Sequence, residues 1–147
     1  PSTHLSLHYH VVFSTKERRA WIEPAWKERL HEFLGGTVKA LGGFPESIGG
    51  TLDHVHLLFG LKATHRMSDV IREIKSASSG WVHHDLKCPI FSWQDGYGAF
   101  TVSASLRATV KRYIQNQVEH HRRRSFQEEY RRLLERSGVT FDERYLW

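Results

Sequence analysis

The sequence predicts one α+β domain, a ferredoxin-like, RRM-like split β-α-β antiparallel sheet with additional C-terminal helices. Strand-like and helix-like segments follow one another in the order β-α-β-β-α-β. The 147 residues contain no internal repeat, long linker or low-complexity segment, so a single domain over 1–147 is expected. We expect its core over about 4–121, and a C-terminal helix and tail over about 125–147.

Each element of this pattern has its own local signal. Residues 4–13 alternate, with apolar side chains at every odd position, which is typical of a half-buried strand. Pro24 opens a helix that Gly42-Gly43 ends. The predicted strands cover 4–13, 46–51, 55–61 and 97–103, and the predicted helices cover 24–41, 67–81, 103–119 and 126–136.

Composition limits the function classes. The net charge of +5 and the pI near 9.6 favour anionic partners, nucleic acid first. No apolar run approaches the ~20 residues of a membrane span, and the start lacks the layout of a signal peptide. Cys88 is the only cysteine, which excludes an intramolecular disulfide and a cysteine-rich zinc site. A reducing, cytoplasmic setting is expected.

Two histidines inside the third strand are the strongest chemical signal. His54 and His56 point to the same side of a strand, about 6–7 Å apart, which begins a divalent metal site. His8 and His10 have identical spacing, and periodicity does not choose between the pairs. Both pairs would line the sheet face that the crossover helices leave open, so function is expected there. Asp53 either orients an imidazole or serves as a turn residue.

The third predicted helix carries a second group of candidates. Tyr113 and Gln117 are one turn apart and share a helix face. Gln117 offers an amide oxygen to a metal, and Tyr113 offers a phenolic oxygen that becomes a nucleophile if its charge is stabilised. Spacing alone favours Tyr113 as a packing residue whose hydroxyl finds a partner.

Basic and aromatic side chains are candidates for nucleic-acid contact. The run at 120–124 suits phosphate binding, although a solvated helix end has the same composition. Trp93 lies in a predicted loop and is the better candidate for base stacking. The candidate basic residues are Lys16, Arg18, Arg19, Arg107, Lys111, Arg112, Arg122, Arg123 and Arg124.

Five segments in this order resemble the single-tyrosine transposases of the IS200/IS605 type, including their REP-associated relatives. They are the strand YHVVFSTK at 9–16, DHVHLL at 53–58, KSASS at 75–79, WQDGYGAF at 93–100 and YIQNQVEHH at 113–121. Together they span nearly the whole chain, and the combination is far more specific than one H-x-H. The core motifs show no departure from the family's pattern.

The resemblance implies an HUH nuclease acting in transposition and DNA recombination. His54, His56 and Gln117 would bind Mg²⁺ or Mn²⁺, and Tyr113 would attack single-stranded DNA beside a hairpin. The product would be a 5′-phosphotyrosine whose reversal rejoins strands. The tyrosine helix would lie on the open sheet face, commonly in a partner's site, since such enzymes form homodimers. The setting would be a bacterial or archaeal cytoplasm, at the nucleoid.

Three other functions remain open. A catalytically silent or domesticated relative would bind REP-type hairpin DNA without cutting it. An RNA-recognition domain shares the element order, but it displays aromatic residues on its central strands where this chain has histidines. A zinc hydrolase would usually need a third histidine or a carboxylate, and no H-E-x-x-H motif is present.

Overall fold

The computed structural model describes residues 2–145; Pro1, Leu146 and Trp147 lie outside the described residues, and so does the end of the expected tail. The strands are β1 (His8–Ser14), β2 (Phe44–Gly50), β3 (His54–Gly60) and β4 (Gly98–Val102). The helices are α1 (Lys27–Ala40), α2 (Met67–His84), α3 (Arg107–Gln115), α4 (Gln117–His120) and α5 (Phe126–Arg136). Among these helices, none has the length and apolar character of a membrane span.

The four strands form one antiparallel sheet in the order β2-β3-β1-β4. This order confirms the predicted split β-α-β architecture, with β1 and β3 at the centre. β1 starts at His8, four residues later than the alternation predicts. Val12 pairs with His56 and Ser14 with His54, so the register brings the end of β1 beside both histidines of β3.

The main core lies between one sheet face and the helices α1 and α2. The apolar odd-numbered residues of the central strands point into it, as their alternation predicts. Val11, Phe13, Val55, Leu57 and Phe59 are all no more than 1% exposed. Since side chains alternate across a strand, the same geometry turns the histidines to the opposite face.

The helices α3 to α5 cover that opposite face. The predicted continuous helix over 103–119 is instead a 3₁₀ turn, Ala104–Leu106, followed by α3 and α4. The break falls at Asn116, whose φ of −103° and ψ of 24° are outside the helical range. α3 sits directly on the backbone of β2, because a Cβ atom at Gly49 would collide with the carbonyl oxygen of Ile114.

Replacing Gly49 with alanine is expected to push α3 away from the sheet. Such overpacking costs roughly 1–3 kcal/mol, so the free energy of unfolding in urea should fall by this amount. Gly36→Ala is the matched control: no atom lies within 4 Å of its added Cβ, and this helix position should gain up to about 1 kcal/mol. Equal stabilities of the two variants would contradict the close approach of α3.

A half-buried imidazole in α1, that of His31, makes stability depend on pH. Burial, helped by nearby Lys27, lowers the pKa of His31 to about 4. An unfolded chain takes up this proton near pH 6.5, so stability is lost as pH falls from 6.5 towards 4. His31→Gln should reduce the loss measured between pH 7 and 5 by on the order of 1 kcal/mol. The exposed-site control His84→Gln should leave it unchanged, and a wild-type loss in His31→Gln would contradict the assignment.

Candidate functional site

Two neighbouring residues, Asp53 and Thr51, orient the His54 imidazole. Its side chain is completely buried, and its Nδ1 lies 2.8 Å from the Oδ1 atom of Asp53 and 3.1 Å from the Thr51 hydroxyl. Burial raises the pKa of Asp53, but the hydrogen bonds from His54 and Thr51 outweigh it and hold this pKa below its usual value. Asp53 therefore remains ionised and orients the imidazole, the first of the two roles considered for it.

His56 is held by a histidine from the neighbouring strand. Its Nδ1 atom lies 2.8 Å from Nε2 of His10, and the two rings stack with centroids 5.0 Å apart. Burial lowers the pKa of His56 to about 4 and that of His10 to about 3. Both rings are neutral near pH 7, so one donates its N–H to the other. One member of the rival pair thus supports His56, and His8 makes no contact with the imidazoles of β3.

Gln117 reaches the other side of His54. Its Oε1 atom lies 3.0 Å from Nε2 of His54, and the residue is 1% exposed. When the ring proton resides on Nδ1, where Asp53 accepts it, Nε2 carries a lone pair. The Gln117 oxygen and Nε2 of His54 are then two buried acceptors that face each other. A cation bound between them would interact favourably with both.

Glu129, on α5, is a site residue that sequence reasoning missed. It is 6% exposed, and its Oε1 atom lies 2.8 Å from Nε2 of His56 and 3.8 Å from Nε2 of His54. Its Oε2 atom lies 3.3 Å from the Gln117 amide nitrogen and 3.5 Å from Nε2 of His121. One feature of the sequence could have revealed it: Glu129 lies three residues after Phe126, on the apolar stripe of α5. A carboxylate buried at such a position needs a polar or charged partner.

The histidines keep this buried carboxylate ionised. Burial raises the pKa of Glu129, but the neighbouring His121 and His56 imidazoles outweigh it and hold the pKa well below its usual value. Phe126 of the same helix stacks on His54, with ring centroids 4.3 Å apart. α5 therefore covers the site, with Phe126 as an apolar contact and Glu129 as an anionic one.

Tyr113 lies beside the histidine pair of its own chain. Its ring centroid is 5.7 Å from that of His56, 6.2 Å from His10 and 4.6 Å from His120. Burial and the neighbouring Glu129 carboxylate raise the pKa of its hydroxyl far above the usual value, and Gln117 and Arg136 only partly oppose them. The hydroxyl is therefore protonated here, and an attack on an electrophile requires positive charge beside the developing phenolate.

The nitrogen and oxygen atoms gathered around His54 and Glu129 suit a divalent metal ion. Ligand atoms of His54, His121 and Glu129 lie within 4.8 Å of one another, and His56 and Gln117 contact the same carboxylate. Mixed nitrogen and oxygen donors fit a six-coordinate Mg²⁺ or Mn²⁺ ion. The three expected ligands are thus brought together, and Glu129 adds the negative charge that they lack.

The candidate DNA-binding residues fall into different environments. Lys16, Arg19, Lys111, Arg112, Arg122, Arg123 and Arg124 are exposed. Arg107 makes a bidentate pair with Glu46 at 3.0 and 3.2 Å. Arg18 lies against the Gln127 amide of α5, at 2.8 and 2.9 Å when the amide oxygen faces it.

Trp93 is not a stacking surface, which corrects the expectation from sequence. It is 6% exposed, its indole N–H donates to the Ser78 hydroxyl at 2.9 Å, and its ring packs edge-on against Phe13 and Phe91. The predicted loop is tied down by Lys75, whose ammonium donates to the carbonyl oxygens of residues 94–96. A buried ring of this kind cannot receive a base.

Comparison with solved structures places the fold among transposases. A crystal structure from Deinococcus radiodurans R1, assigned there as a transposase, has a TM-score of 0.64 and 28% identity, covering 80% of this chain and 95% of its own. A REP-associated tyrosine transposase, solved bound to a REP hairpin, has a TM-score of 0.59 and 16% identity, covering 82% and 74%. The second likeness concerns the fold alone.

Sequence comparison identifies the family. The family described as Transposase IS200 like matches residues 3–117. The ISDra2 transposase TnpA of Deinococcus radiodurans is 26% identical over 117 residues, which are 76% of this chain and 84% of that relative. The chain therefore belongs to the IS200-like transposase family, enzymes of DNA transposition. The match ends at Gln117, so α5 and Glu129 lie beyond it.

Alanine substitution is expected to separate the metal ligands from their neighbours. Mn²⁺ binding, followed by loss of the free-ion electron paramagnetic resonance signal, should weaken about tenfold or more in His56→Ala, Gln117→Ala and Glu129→Ala. The exposed-site control His84→Ala should bind like the wild type. Wild-type affinity in Glu129→Ala would remove Glu129 from the ligand set and leave the three expected residues.

Proposed function

We propose that this transposase cleaves and rejoins single-stranded DNA through a covalent link to Tyr113. One observation carries the proposal: the Tyr113 ring lies 5.7 Å from that of His56, and His54, Gln117 and Glu129 bring further nitrogen and oxygen donors to that imidazole. This grouping of a nucleophile with candidate metal ligands supports the proposal. The chain belongs to the IS200-like transposase family, and its resemblance to HUH nucleases of the IS200/IS605 type supports this reaction.

The proposed chemistry transfers a phosphoryl group to the tyrosine and back. The Tyr113 oxygen forms a bond to phosphorus, the bond to the 3′ oxygen breaks, and the proton lost by the phenol is balanced by the one that the 3′-hydroxyl gains. His54, His56, Gln117 and Glu129 would hold a divalent ion, which would supply Lewis acidity at the phosphate when bound. The phosphotyrosine conserves the bond, so a new 3′-hydroxyl can rejoin the strand without external energy.

The proposed substrate is single-stranded DNA that carries a hairpin near the cleavage point. The REP-associated tyrosine transposase was solved bound to a REP hairpin, and the exposed basic residues of this chain at 111–112 and 122–124 provide charge for a phosphate backbone. The proposed setting is the nucleoid of a bacterial or archaeal cytoplasm.

A homodimer is part of the proposal, because the IS200/IS605-type transposases that the chain resembles form dimers. Two subunits would hold two DNA ends, with Tyr113 serving the site of its own subunit or that of its partner. Sedimentation equilibrium of the Tyr113→Phe protein with and without hairpin DNA measures it.

The burial of the histidine pair favours a second candidate. His54 and His56 are 0% exposed, and Glu129 and Gln117 occupy their Nε2 atoms. A protein that kept this arrangement permanently would bind hairpin DNA without cutting it. Metal-independent hairpin binding with no cleavage product identifies this case.

The decisive measurement is a denaturing gel of protein mixed with hairpin-flanked single-stranded DNA and Mn²⁺ or Mg²⁺. Wild-type protein should give a metal-dependent covalent adduct. Tyr113→Phe should abolish the adduct and retain hairpin binding, because it removes one oxygen atom and leaves the ring in place. His56→Ala should also abolish it.

Tyr9→Phe provides the control, since this half-buried tyrosine packs on the core side of β1. It should form the adduct like the wild type. An adduct that persists in Tyr113→Phe would refute the nucleophile, and cleaved DNA without any adduct would favour hydrolysis by water.

A further inference from the structure

A pocket between α3 and α5 adjoins Tyr113. Its volume is about 380 Å³, and Val110 and Tyr113 of α3 form one wall. Leu133, Arg132 and Arg136 of α5 form the other, with Arg124 at the rim. Small organic ligands occupy pockets of roughly this size or larger.

The α5 wall follows from helical spacing. Glu129, Arg132, Leu133 and Arg136 are at positions i, i+3, i+4 and i+7 and share one face. Arg136 and Tyr113 line the same pocket from its two walls. One helix face therefore spans the distance from the candidate metal site to the pocket.

The pocket carries uncompensated positive charge. Within residues 2–145, no carboxylate lies in ion-pair distance of Arg124, Arg132 or Arg136. Of the described residues, Glu129 is the one acid that lines the pocket, and His56 and His121 already contact its carboxylate. Three guanidinium groups beside apolar walls suit a ligand that is both anionic and partly apolar.

We propose that this pocket holds the nucleotide adjoining the phosphate that Tyr113 attacks. Its base and sugar lie between Val110 and Leu133, and Arg132 and Arg136 bind its phosphodiester, since guanidinium groups match phosphate oxygens. Only an unpaired nucleotide enters, so the pocket selects single strands. The assignment rests on the proposed function, and it uses a helix beyond the residues that the family match covers.

The test measures binding without cleavage. In the Tyr113→Phe background, fluorescence anisotropy follows a labelled, hairpin-free oligothymidylate over a range of salt concentrations. Arg132→Gln/Arg136→Gln should weaken binding about tenfold or more and flatten the log–log salt slope by about 1.4, at about 0.7 per lost phosphate contact. Leu133→Ala keeps every charge and should weaken binding several-fold at all salt concentrations.

The matched control is Arg66→Gln/Arg72→Gln at the start of α2, on the other side of the sheet. It removes the same charge from exposed positions and should change affinity less than about twofold. If both double variants lost the same affinity for the oligonucleotide, the effect would come from net charge alone. Such a result would contradict nucleotide binding in the pocket. Wild-type binding in Leu133→Ala would overturn the nucleotide assignment, and thermal unfolding verifies that each variant is folded.

The two proposals fail separately. If wild-type protein forms no adduct but oligonucleotide binding depends on Arg132, Arg136 and Leu133, nucleotide binding in the pocket stands without the cleavage chemistry. If the adduct forms and these three residues do not affect binding, the pocket assignment falls and the tyrosine nucleophile remains.

Discussion

The structure depends on one constraint: two imidazoles buried on a sheet face need a polar partner at every ring nitrogen. Asp53 and His10 lie against the Nδ1 atoms of His54 and His56, and Gln117 and Glu129 lie against the Nε2 atoms. Each partner comes from a different element. The helices above the sheet are therefore tied to it by polar contacts that an apolar residue could not replace without leaving a buried donor or acceptor unpaired.

The same contacts create an electrostatic opposition within the site. Glu129 keeps its charge because histidines surround it, while that charge and burial hold the Tyr113 hydroxyl protonated. A cation between the histidines and Glu129 would neutralise the carboxylate and make a tyrosine anion less costly. The charge on Glu129 therefore controls how readily the Tyr113 hydroxyl loses its proton.

The sheet and the histidine pair were predictable because strand alternation is local. The odd-numbered core residues of β1 and β3, and the opposite placement of His54 and His56, follow from a period of two residues. Gln117 and Tyr113 needed the family resemblance, since helical spacing alone gave packing as the better interpretation.

Glu129 lies 73 residues from His56 in sequence, and no local pattern states which buried acid meets which imidazole. Trp93 failed as a prediction because a loop position does not reveal that Ser78 accepts its N–H bond.

The position of α5 in the chain has a consequence for the newly made protein. Domains fold as units during synthesis, from the N-terminal side onwards. The sheet, with its two imidazoles, is complete once β4 has emerged, but the acid and the arginines arrive only with residues 126–136. A ribosome-bound chain therefore holds a bare histidine pair that lacks its anionic partner and its cover. The order of translation itself delays the assembly of the candidate metal site until α5 has left the exit tunnel.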